Sequence, residues 1–201
     1  MAWWQIALIV ALVVLVLAGV VISLQARSLD RVHKNVTKSR IALERALVER
    51  AKAALHVARS GVLDAASSVV LAGVATEALE ASANPIVNDG WEDIRVEDSE
   101  GKALTPGLDA PDRLVIESEL SRALCHSVDQ LDTASPELDR LTNARIAVQM
   151  TRRFHNNHVS QARRLRKSVL VRMLRLQGSA PEPITVNLDD RMNRAERGNG
   201  E

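Results

Sequence analysis

Tyrosine is missing from this chain altogether, and its aromatic content is limited to three Trp and one Phe. Glycine and proline are scarce, at nine and six, and most of them sit at breaks between patterned stretches. Sites for nucleotides or carbohydrates draw on aromatic faces and glycine-rich loops, so this composition points away from them. Cysteine occurs once, as Cys125. One thiol forms no internal disulfide and has no partner for a CxxC or zinc pattern. It reads as a small core residue and agrees with a reducing compartment. The GxGxxG, P-loop, GxSxG and HExxH patterns are absent. That excludes the common enzyme classes that carry them. No catalytic residue, cofactor or metal ligand is assigned, and the chain is expected not to be an enzyme.

Charge is absent from the run 3–24, WWQIALIVALVVLVLAGVVISL. As a helix it measures ~33 Å, enough to cross a hydrocarbon core of ~30 Å. A soluble core helix does not need an apolar surface all the way round. A cleaved signal would have basic residues before the run and a small-x-small site after it. Met1 and Ala2 carry no basic side chain, and Gln25-Ala26-Arg27 offers no such site. Leu17-Ala18-Gly19-Val20 has valine where a lipid-bearing cysteine would stand. Residues 1–26 therefore read as an uncleaved transmembrane anchor. Arg27, Arg31, Lys34, Lys38 and Arg40 come directly after it, offset only by Asp30. The positive-inside rule places the C-terminal domain in the cytoplasm and the N-terminus outside, with Trp3 and Trp4 at the outer interface of a single-pass cell-membrane protein.

The remainder is rich in Ala, Leu, Val, Arg and Glu, and reads as all-α. Leu29, Val32, Val36, Leu43, Leu47, Ala51, Ala54 and Ala58 recur at helical steps and form one face of a helix continuing from the anchor. Arg59-Ser60-Gly61 stops it. Asp64 caps a second helix from Ala65 to about Ser82, with Val69, Val70, Val74 and Leu79 as its face. Asn84-Pro85 ends that helix. An acidic insertion, 84–110, comes next as a loop or a small hairpin over Trp91 to Leu104. Helix resumes at Pro111-Asp112, with Leu114, Val115, Leu120, Leu124 and Val128 apolar. Ser135-Pro136-Glu137 starts a last helix that reaches about Gln177. Residues 179–201 read as a mobile polar tail, with Ile184-Thr185-Val186 as its one exception. The segment lengths, ~54, ~60 and ~63 Å, suggest an antiparallel three-long-helix bundle over 27–178. In it the middle rod is interrupted by the insertion, and the last helix leads away from the membrane.

Several stretches carry a family resemblance. Glu117-Ser118-Glu119-Leu120-Ser121-Arg122-Ala123-Leu124 precedes Glu137-Leu138, Asn143-Ala144-Arg145-Ile146-Ala147-Val148 and Arg152-Arg153-Phe154-His155-Asn156-Asn157-His158-Val159. Their order and spacing resemble the LemA family, and the resemblance covers most of the chain. Arg145, Phe154, Asn156 and Val159 fall in its motif segment. The family's tyrosine–asparagine motif is absent, and Leu29 to His33 lie where it would be. The resemblance implies a single-pass bacterial membrane protein with a cytoplasmic helical bundle. It implies no reaction.

One charge sign is missing from a long stretch. No acidic residue lies between Asp139 and Glu182, while the same stretch carries ten Arg and Lys. Arg152, Arg153, Arg163, Arg164, Arg166, Lys167, Arg172 and Arg175 make up a candidate basic face. Three readings compete: neutralisation within the chain, whose net charge is only +1, an acidic protein partner, or anionic lipid or nucleic acid. The expected distance of this end from the membrane weakens the lipid reading. Nucleic acid lacks aromatic interleaving. His155 and His158, one turn apart, read as partly buried or surface histidines rather than metal ligands. Asp189-Asp190 reads as solvated charge. The function expected is a membrane-anchored interaction scaffold with an unidentified cytoplasmic protein partner, or a second copy of the chain. The alternative is a tethered module for anionic phospholipid or nucleic acid.

Overall fold

A computed structural model describes residues 3–87, 112–131, 133–173 and 182–190. The chain is all-α, with no strand among the described residues. Helix α1 spans Trp3–Arg59, α2 Ala65–Glu80, α3 Arg113–Ser127, α4 Pro136–Arg166 and α5 Val169–Met173. A single 3-10 turn, Ala81–Ala83, extends α2. The hairpin expected over 91–104 lies outside the described residues.

Helix α1 runs unbroken for 57 residues and is two things end to end. Its first part is apolar on every side, and its most apolar stretch is wholly unburied. Among the described residues it is the one helix long and apolar enough to cross a membrane. Its second part buries one stripe: Leu29, Val36, Leu43, Leu47, Ala51, Ala54 and Ala58. That is the expected face, with Val32 half-buried.

Gly61 reverses the chain with φ of +79°, a left-handed conformation that suits glycine. Asp64 then caps α2 by accepting from the backbone N–H of Ser67 at 3.0 Å. Helix α2 presents the expected face only in part: Val74 and Leu79 pack against the core. Leu71, Ala75 and Ala78 are buried, whereas Val69 and Val70 are 74% and 57% exposed. The helix is apolar almost all round, so hydrophobicity alone could not choose its face. Small alanines allow the close approach to α1 that paired valines would block.

Helix α3 begins where α2 ends, since Arg113 donates through Nη1 to the carbonyl of Asn84. It then lies beside α2 instead of extending it, sharing a core of Leu71, Ala75, Ala78, Ile116, Leu120 and Leu124. Its other neighbour is α1. Arg113 approaches Glu44, and further along Arg50 meets Glu117 and Ser121. So α3 runs parallel to α1. On α3 the buried positions include the expected Leu120 and Leu124, while Val115 is half exposed.

Helix α4 is capped by Ser135, whose Oγ accepts from Leu138 N at 3.2 Å, with Pro136 in the first turn. Leu138 and Leu141 share a core with Ala51, Ala54 and Ala58. Val148 lies with Leu43 and Leu47, and Val159 and Ala162 lie with Val36. Helix α4 therefore descends along α1 toward the apolar run. This corrects the three-rod reading, in which the last helix led away from that run. Segment lengths do not say whether two short helices stack end to end or side by side. Side by side, α2 and α3 bury both apolar faces against α1. That adds a reversal and turns α4 around.

Two further expectations change. Helix α4 stops at Arg166, with Lys167 as its C-cap, and a short α5 comes after it. Arg163, Arg164, Arg166 and Lys167 crowd one turn with like charge, and Ser168 favours a break. The start of the insertion is core: Ile86 and Val87 are buried among Leu43, Leu47 and Val148.

Candidate interaction surface

The polar chemistry of this chain divides between a buried ionic core, a strap laid along α4 and a basic end at the foot of α1. The core comes from charges at stripe positions. Arg50 falls between Leu47 and Ala54 on the buried face of α1, and Glu117 falls three residues before Leu120 on α3. Both are buried, at 2% and 1% exposed. Arg50 Nη2 lies 2.6 Å from Glu117 Oε2 and donates to the Glu117 carbonyl at 3.0 Å, while Nη1 donates to Ser121 Oγ at 2.8 Å. Arg113 Nε stands 3.7 Å from the other carboxylate oxygen of Glu117. Burial pulls both guanidinium groups below their ordinary pKa, and Glu117 opposes that pull. They stay charged, since arginine keeps its proton in proteins. One carboxylate thus serves two buried cations. Glu117 thereby links Arg50 of α1 to Arg113 on its own helix.

A second buried pair joins Arg145 on α4 to Asp129 just after α3, with Cys125 Sγ 3.7 Å from Arg145 Nη2. Burial and the Asp129 carboxylate push the Cys125 thiol above its ordinary pKa. It is held protonated, the opposite of an activated nucleophile. His155 is 1% exposed, and its Nδ1 is 3.1 Å from Ser39 Oγ. That hydroxyl donates to the Val36 carbonyl at 2.8 Å, so the ring donates to the hydroxyl. His155 ties α4 to α1. Among the described residues no group of three or more His, Cys, Asp or Glu is placed to hold a metal ion.

Residues 182–190, part of the expected polar tail, form the strap. Val186 and Leu188 are buried with Leu43, Leu47, Ile86, Val87 and Val148. Asn156 grips the strap as a peptide unit would: Nδ2 donates to the Val186 carbonyl and Oδ1 accepts from Val186 N, both at 2.9 Å. Arg152 forks onto Asp190 at 2.7 and 2.9 Å. Gln149 donates to the Asp190 carbonyl at 2.6 Å. Arg163 donates to the Pro183 carbonyl at 3.0 Å and stands 3.3 Å from Glu182. The strap thus ascends as α4 descends. Asp190 is an ion-pair partner rather than solvated charge. Two cations of the basic face, Arg152 and Arg163, are neutralised within the chain.

Four more residues of that face are open. Arg153, Arg164, Lys167 and Arg172 are exposed, and Arg166 is half-buried. Arg175 lies outside the described residues. Of the motif-segment residues, Arg145 and Val159 are buried, Asn156 holds the strap and Phe154 is 57% exposed. Sequence reasoning missed Arg50, Glu117 and Arg113. The available signal was a charge occupying a stripe position between apolar neighbours.

At the foot of the fold, burial and the nearby positive charge of Arg166 lower the pKa of His33 from 6.5, while Asp30 acts the other way. A lowered histidine pKa means that the unfolded chain binds the proton more readily. Stability is therefore expected to fall as pH drops below 6.5 and to level off below the folded pKa. A His33→Gln variant should flatten that part of a melting-temperature profile. An unchanged profile would remove His33 as its source.

No family model matches this chain, nor does any curated protein or solved structure.

Proposed function

We propose that this chain is a single-pass membrane protein whose cytoplasmic helical bundle acts as an interaction scaffold, along the lines of the LemA-like layout that its motif segments resemble. The observation that carries the reading is the continuity of α1. One helix passes from a wholly exposed apolar run into a packed stripe with no loop between. An unbroken helix transmits position, so the packed helices would be held at a set height over the bilayer. Arg27, Arg31, Lys34, Lys38 and Arg40 orient them to the cytoplasm. Arg50 with Glu117 and His155 with Ser39 hold helices to one another, which supports a structural and binding role. The partner expected is an acidic cytoplasmic protein reaching the open part of α4 around Arg153.

The test is photocrosslinking in intact cells from a reactive residue placed at Arg153, with a second at Lys52 on α1 as reference. A discrete protein adduct at Arg153, absent at Lys52, is the expected result. Loss of the chain from membranes under carbonate wash, or the same adducts from both positions, would sink the reading.

The phospholipid alternative gains from one observation, the descent of α4. Nucleic acid gains nothing comparable.

A further inference from the structure

We propose that the foot of α1 and the descending end of α4 together form a binding surface for anionic phospholipid headgroups; this rests on the membrane-anchor reading. Arg27, Arg31 and Lys38 of α1 are exposed, and so are Arg164, Lys167 and Arg172 at the end of α4 and in α5. The two groups are far apart in sequence. Packing brings Arg164 and Lys167 down to the height of Arg31, because Val159 and Ala162 sit against Val36 and Arg166 lies close enough to His33 to act on its charge; Lys38 stands higher on α1.

Height decides whether lipid can be reached. His33 is nine residues beyond Leu24, or ~14 Å along the helix axis. A headgroup layer extends ~5–8 Å beyond the hydrocarbon edge. The end of α4 then lies ~6–9 Å above the headgroups, within the screening length of ~8–10 Å at ordinary ionic strength. Long Arg and Lys stems shorten the gap further.

Among the described residues, the carboxylates near this height are already engaged. Asp30 is the only acid in 25–43, and it pairs with Lys34 at 2.8 Å. There is none in 140–181. Glu182, just beyond, pairs with Arg163. The exposed cations Arg27 and Arg31 of α1 and Arg164 and Lys167 of α4 repel one another, and a negatively charged leaflet relieves that repulsion. A nucleic acid would have to enter the same gap between fold and bilayer, and the site offers no aromatic platform for it.

The experiment uses the full chain reconstituted in phosphatidylcholine vesicles containing spin-labelled phosphatidylglycerol or spin-labelled phosphatidylcholine. The wild type should restrict the anionic probe in preference to the neutral one by up to about fivefold, the effect of one favourable charge at a membrane surface. The triple variant Arg164→Gln, Lys167→Gln, Arg172→Gln should lose at least half of that preference. Arg153→Gln, higher on α4 and equally exposed, should keep it. Far-UV circular dichroism checks that each variant is folded. An undiminished preference in the triple variant would overturn the composite surface and leave the lipid contact to α1 alone. Displacement of the anionic probe by a short DNA duplex would overturn the lipid assignment. Failure of the wild type to float with neutral vesicles would instead remove the anchor reading, and the proposal with it.

Discussion

Glu117→Gln is expected to lower the stability of the packed helices by about 3–5 kcal/mol, the cost of leaving buried charge without its counter-ion. Glutamine has nearly the same shape, so packing is preserved and the effect isolates the charge. Arg50 and Arg113, which now face one carboxylate oxygen each at 2.6 and 3.7 Å, would be left with a single uncharged amide oxygen between them. Glu44 cannot substitute, because it lies 4.0 Å from Arg113 and its side chain is 33% exposed. The Ser121 hydroxyl and the Glu117 carbonyl would remain as neutral acceptors for Arg50. Urea unfolding of the full chain in detergent, followed by circular dichroism, measures the loss. A change under about 1 kcal/mol, the scale of a surface pair, would show that the network is solvated.

The second large effect separates two neighbouring residues on α2. Leu71→Ala is expected to cost about 2–5 kcal/mol, since it removes a fully buried side chain from between α1 and α3. Val70→Ala is expected to stay within about 0.5 kcal/mol, because the valine is 57% exposed. Alanine is also the better helix former there. The same unfolding assay compares them. Equal losses at the two positions would mean that α2 packs with another face.

The two cases mark where the sequence was legible. The stripe of α1 could be read because charges separate its apolar positions, leaving one face to bury. Helix α2 offers no such contrast, and its face is set by which side chains are small enough for close packing. Helix starts were readable at Asp64 and Ser135, where cap chemistry is local. The direction of α4 was not, because it depends on whether α2 and α3 pair with each other, which is a long-range choice. The basic stretch was visible by the absence of acids, but its division was not. Arg152 and Arg163 are taken by a strap that arrives from later in the chain, whereas Arg164 and Lys167 remain open. Arg50 and Glu117 interrupt apolar patterns. Taken singly they look like interruptions, and only the packing of α3 on α1 shows them as a pair.

Placing the basic end near the apolar run depends on the direction of α4, which spin labels can read directly. In a Cys125→Ala background, one label is placed at Lys38 and the second at either Arg164 or Arg140, all exposed positions. The two α4 sites are 24 residues apart, ~36 Å along the helix. Electron–electron double resonance on the reconstituted full chain is expected to give the short distance for Lys38 with Arg164 and the long one for Lys38 with Arg140. The reverse order would mean that α4 leads away from the apolar run, contradicting both the fold and the lipid surface at its foot.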